Sequence, residues 1–162
     1  MNAHTLWKLV HMLGASVLFG TGMGIAFFAW FGYRRAMEIG EIDGLRTVLR
    51  LTVIGDTVFT APAVVLQLVS GIALVHLYNW SLISPWALTV FGLYGVVGLL
   101  WLPVVVIQIR MSREAARASS IAELPEGSHN RYRIWFVLGI PAFLLVIGIF
   151  YIMIAIPLAV TS

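Results

Sequence analysis

"LWKLVHMLGASVLFGTGMGIAFFAWFGYRR", residues 6–35, decides the fold. Between Leu6 and Gly32 only Lys8 and His11 carry ionisable groups. As a helix rising about 1.5 Å per residue, such a stretch is long enough to cross a hydrocarbon layer about 30 Å thick. An arginine pair, Arg34–Arg35, follows at once. The stretch therefore predicts a membrane helix with a charged end, and it places an imidazole about two turns inside its other end.

The rest of the chain has the same character. Of 162 residues, 60% are hydrophobic and only 10% are charged, against roughly a quarter in a typical soluble domain. The mean hydropathy is +0.97. A soluble core has no use for that much apolar surface, whereas a bilayer accepts it. Three more spans follow. With residues 5–31 as the first, the others are 47–77, 85–109 and 134–158. The expected architecture is all-α: an integral membrane four-helix bundle, one transmembrane domain over 1–162. Pro62, Pro103 and Pro141 lie inside spans as expected kinks. The N-terminal run is too long for a cleavable signal and is expected to persist as the first span. No cysteine is present, which excludes disulfides, thiolate metal sites, iron–sulfur clusters and covalently attached haem.

The pI near 9.7 does not point to nucleic acid, because the basic residues crowd the ends of apolar spans. Nine of the ten lie in or beside two loops: Arg34, Arg35, Arg46 and Arg50 at the first, and Arg110, Arg113, Arg117, Arg131 and Arg133 at the third. The second loop, "YNWSLISP", has no charge. The positive-inside rule then puts both Arg-rich loops in the cytoplasm and both termini outside, the periplasmic side of a bacterial inner membrane. Trp7, Tyr78, Trp80 and Trp86 form the expected outer aromatic belt, and Trp30, Tyr33, Tyr132 and Trp135 the inner one. The third loop, "MSREAARASSIAELPEGSHN", reads as a helical extension ending in a turn at "PEGSHN".

Ionisable groups inside a membrane are costly and mark functional candidates. His11, beside the small residues Gly14 and Ala15, offers a ring nitrogen on a slim face where a flat macrocycle could lie. It is read as an axial ligand of haem b, with a single interhelical hydrogen bond as the plain alternative and a proton relay as the third. His76 ends the second span on the same side and is the expected second axial and metal ligand. By helix phase, however, it lies about 180° from Gln67, so interfacial placement is its alternative. His4 is a further candidate, and His129 is expected in a loop. His4 and His11 are seven residues apart, about 10 Å, too far to grip one ion together. Asp56, the sole carboxylate inside a span, is read either as a proton relay or as a structural ion pair with Arg50. Gln67, Ser70 and Gly71 are read as helix-to-helix contacts, with Gln67 also a possible ligand contact. Tyr94, Trp101 and Gln108 share one stripe of the third span. Gly20–Gly24 and Gly92–Gly95–Gly98 suit close helix approach, within the chain or to another subunit. Phosphate loops, HExxH, G-x-S-x-G and Rossmann glycines are absent from the sequence.

"LWKLVHMLGA", "APAVVLQLVSG" and "LYGVVGLLWLPVVVIQIRM" together resemble a family of small bacterial four-helix inner-membrane proteins of unknown function. More distantly, the K-x-x-H opening, Lys8 and His11, is similar to that of HemJ-type protoporphyrinogen oxidases and copper-resistance D-like membrane proteins. The HemJ resemblance implies haem b with His11 as a ligand. It departs at "SPWALTVFGLYG", where those oxidases carry a histidine and a lysine. The function expected from residues and resemblance together is a haem-b-binding membrane protein with a redox role, exchanging electrons with quinone or a partner. The alternative is a non-catalytic small subunit or assembly factor of a larger membrane complex, or a homo-oligomer.

Overall fold

A computed structural model describes residues 2–160, with side chains over 2–155. Four long helices make up almost all of it. They are α1 (Ala3–Ile39), α2 (Ile42–Leu77), α3 (Pro85–Arg117) and α4 (Ser128–Val160). Each is long and apolar enough to cross a membrane. The helices start and stop where backbone donors and acceptors find substitutes. Asn2 Oδ1 accepts the Thr5 N–H at 2.9 Å, and Gly40 closes α1 in the left-handed region with φ 72°. Ser84 caps α3 through the Ala87 N–H at 3.2 Å, with Pro85 behind it where a missing N–H costs nothing. Hydropathy alone ends α1 at Phe31 and α3 at Ile109. Both run eight residues further, to Ile39 and Arg117, because the hydrogen-bond ladder continues into water until a cap stops it. A short 3₁₀ turn, Ile121–Glu123, and Gly127 at φ 81° then lead into α4.

α2 is not uniform. Asp56–Thr60 forms a π-helical turn, with the Ala61 N–H bonding back to the Asp56 carbonyl. Pro62 explains its place. A proline in a regular helix loses one ladder bond and presses its ring on the preceding turn, and the wider turn just before it relieves both.

The helices pack as two hairpins, α1 with α2 and α3 with α4. The hairpins meet mainly through the first part of α2, residues 42–55, and α3. α1 and α4 meet through large aromatic side chains, Phe19 on Phe143 at 4.9 Å and Trp30 on Phe136 at 4.4 Å. The densest core lies at this Arg-rich end: Ala29, Tyr33 and Ala36 from α1, Leu45 and Leu49 from α2, Met111 and Ala115 from α3, and Tyr132 and Trp135 from α4. Tyr33 and Tyr132 stack with ring centroids 3.7 Å apart. Arg46 ties the hairpins together, donating from Nε to the Ala115 carbonyl at 3.0 Å and from Nη2 to the Ala118 carbonyl. These are end carbonyls of α3 that the helix itself leaves unpaired. Glu114 accepts from Arg131 at 2.6 Å and from Arg110 at 3.1 Å, linking α3 to α4. The two Arg-rich loops thus share one end of the molecule. Large side chains such as Phe28, Leu99 and Tyr151 point outward with about 70% of their surface open, as lipid-facing residues do.

Candidate functional site

Away from the shared core the hairpins diverge, and the split between them is hollow. Its part nearer the uncharged loop is a cavity of about 290 Å³ lined by Lys8, His11, Gln67, Tyr94 and Met153 among mostly apolar side chains. Its wider part, about 570 Å³, reaches from Leu18 and Tyr94 down to Asp56, Gln108 and Trp135. Leu18, Tyr94 and Val146 line both.

His11 is held at both ring nitrogens. Nδ1 lies 2.8 Å from Ser70 Oγ, and Gln67 Nε2 lies 3.1 Å from His11 Nε2. The Ser70 hydroxyl donates its only proton to the Leu66 carbonyl at 2.6 Å. Ser70 Oγ must therefore accept, which puts the imidazole proton on Nδ1 and leaves Nε2 as the acceptor for the Gln67 amide. That is the tautomer a metal-ligating histidine uses: one ring N–H fixed by a second group, the other nitrogen offering its lone pair. Gln67 Oε1 is closed off and has no partner.

The glycines here have a specific use. A Cβ on Gly71 would lie 3.3 Å from His11 Cε1, and one on Gly14 would lie 2.8 Å from Gln67 Oε1. Gly14, expected beneath a macrocycle, instead makes room for Gln67. Gly20, Gly24, Gly92, Gly95 and Gly98 have nothing within 4 Å of such a Cβ, so close approach within the chain is not what they serve. Glycines that do admit a neighbour include Gly14, Gly71, Gly55 against Ile25, Gly32 against Val48, and Gly44 against Glu41 and Ala36.

The structure does not bring the other histidines to His11. His76 is exposed and does not line the cavity. His4 sits edge-on to the Tyr78 ring at 5.4 Å, with Lys8 Nζ 5.2 Å from the same ring and Trp80 and Trp86 continuing the cluster. Tyr78, Trp80 and Trp86 of this cluster line the cavity at its end nearest the uncharged loop. Among the described residues no three His, Cys, Asp or Glu side chains converge on a metal position. The donor set therefore fits a single histidine ligand, not a histidine pair. Met153 of α4 lines the same cavity and carries a thioether sulfur. No periodicity in "FYIMIA" marks it out, which is why the sequence does not disclose it.

The second polar group is buried in α2. Gln108 donates to Asp56 Oδ2 at 2.5 Å, and the Trp135 indole N–H donates to Gln108 Oε1 at 3.1 Å. Asp56 and Gln108 are buried, whereas Arg50 is exposed and forms no ion pair among the described residues. Asp56 continues the buried stripe Leu45, Leu49 and Thr52 of the regular helix before it, a face about 120° from Arg50, and so meets α3 instead of the arginines. The stripe of α3 faces inward throughout: the Tyr94 hydroxyl donates to the Val64 carbonyl at 2.7 Å, Trp101 lines the wide cavity, and Gln108 meets Asp56.

Residues 5–157 match the family described as "Predicted integral membrane protein (DUF2269)". The chain belongs to that family and is an integral membrane protein. No curated protein and no solved structure matches it.

Proposed function

We propose that this member of the family binds haem b in the cavity beside His11, with His11 Nε2 as an axial ligand, and serves electron transfer in the bacterial inner membrane. The observation that carries the reading is the Leu66–Ser70–His11 relay, which holds the ring in the ligating tautomer at the edge of an apolar cavity. Binding requires Gln67 to turn away from Nε2. Lys8, on the same cavity, supplies the one cation there for the carboxylates of a porphyrin. Met153, which lines the same cavity, would be the second residue to hold the group, in place of His76 or His4. When bound, the haem supplies a one-electron couple. This chain's residues hold the imidazole, exclude water with the Tyr78–Trp80–Trp86 cluster, and neutralise carboxylate charge. With the Arg-rich end in the cytoplasm, the cavity lies towards the periplasmic face, within reach of quinone in the bilayer or of a partner.

Haem titration into the purified protein tests this. Wild type should bind one equivalent and develop a Soret band, and His11→Ala should lose it while keeping its helicity. Equal binding by His11→Ala would remove His11 from the account. A second reading, an accessory subunit, is favoured by the glycine faces left open on α1 and α3. A stoichiometric partner co-purifying in mild detergent would support it.

A further inference from the structure

We propose that the wide cavity around Asp56 binds a lipophilic organic cation, with the Asp56 carboxylate as counter-ion and aromatic side chains as walls. The cavity of about 570 Å³ falls in the range of small-molecule sites, about 300–1,000 Å³. All four helices line it, and its rings include Trp30, Trp101, Trp135, Phe136 and Phe143. Aromatic faces attract cations, most strongly where water is excluded.

Two donors in this cavity lead to Asp56, while the Tyr94 hydroxyl donates to the Val64 carbonyl and the Trp101 indole N–H has no partner among the described residues. Trp135 donates to Gln108, and Gln108 donates to Asp56. The chain of donors ends at the carboxyl group, of which only Oδ2 is held by the protein among the described residues. No lysine or arginine lines the cavity. Buried intramembrane acids pair with a cation or with other polar groups. Here the protein supplies an amide on one side and open, ring-lined space beside it. An ammonium or phosphonium carrying apolar groups complements both features. Between α1 and α4 the cavity is walled by the Phe19–Phe143 and Trp30–Phe136 ring pairs, at 4.9 and 4.4 Å. His11 does not line this cavity, which adjoins the His11 cavity at Leu18, Tyr94 and Val146.

The test uses the full chain in phosphatidylcholine nanodiscs and equilibrium dialysis. Tetraphenylphosphonium is the probe, and tetraphenylborate, close in size and opposite in charge, is the control. Wild type should bind tetraphenylphosphonium saturably, about one per chain, and show no saturable binding of tetraphenylborate. Asp56→Asn, which preserves shape and a partner for Gln108, should weaken cation binding at least tenfold. Gly98→Leu should do the same by filling the cavity with Asp56 intact; Gly98 has open space around it. Undiminished cation binding by Asp56→Asn would overturn the proposal. So would equal binding of both probes by wild type, or no saturable cation binding at all. If Asp56→Asn fails to fold, Gly98→Leu and the borate comparison decide.

Discussion

At the scale of single residues, His11 is held at both ring nitrogens by a neutral hydrogen-bond relay. Ser70 gives its proton to its own helix, so it can only accept from the imidazole. Ser70→Ala removes that acceptor and frees the tautomer. Losing a group that orients a metal-bound histidine typically lowers affinity about 10–100-fold, and the haem titration should show a loss of that size while the helical content stays unchanged. Gln67→Ala should act in the opposite direction, strengthening haem binding by removing the amide that occupies Nε2. Weaker binding in that variant would mean that Gln67 supports the ligand instead of competing with it. The sequence discloses His11 and Gln67 as the polar residues to watch, because ionisable and amide groups stand out in an apolar run. It does not disclose that they bond each other. Their contact depends on Gly14 and Gly71 admitting them, and on the relative rotation of two helices that residue spacing alone leaves free.

At the scale of elements, α2 departs furthest from its sequence reading. The span is plain from hydropathy, and Pro62 is a legible point of irregularity. The form it takes is a π turn over Asp56–Thr60; Asp56 itself stays on the buried stripe of the regular helix before it, away from Arg50, and meets Gln108. Gln108→Leu should therefore leave both the Asp56 carboxyl and the Trp135 N–H without partners. A lost partner in a buried pair costs about 1–3 kcal/mol, so thermal unfolding in nanodiscs should shift down. Trp135→Phe added to it should cost less than the two single changes sum to, since both break one chain of bonds. Full additivity would show that the three groups do not act together. The α1–α2 contact gives a second test. A Cβ at Gly32 would lie 2.5 Å from Val48 Cγ2, so Gly32→Ala should destabilise the hairpin. Val48→Ala in the same chain should restore much of the loss.

At the scale of the whole molecule, four spans, two Arg-rich connections and a neutral one are written directly into hydropathy and charge. What those patterns cannot carry is the arrangement of the hairpins, tight at the Arg-rich end and hollow beyond it. That arrangement follows from individual pieces: Arg46 on the last carbonyls of α3, Glu114 between Arg110 and Arg131, and the Tyr33–Tyr132 stack. The inner aromatic belt accordingly becomes core, with Tyr33, Tyr132 and Trp135 buried. Orientation is open to direct test, because the chain has no cysteine. In intact cells a membrane-impermeant maleimide should label Ser81→Cys in the neutral loop and spare Ser119→Cys in the third. The reverse pattern would invert the topology and move the His11 cavity to the cytoplasmic side. The central claim, a haem held by His11, is tested most directly by the absorption spectrum of the protein purified from haem-replete membranes, oxidised and then reduced with dithionite. The account predicts a Soret band with sharp α and β bands on reduction, absent in His11→Ala. A featureless visible spectrum in the wild type would contradict it and leave His11 as the hydrogen-bonded link between α1 and α2.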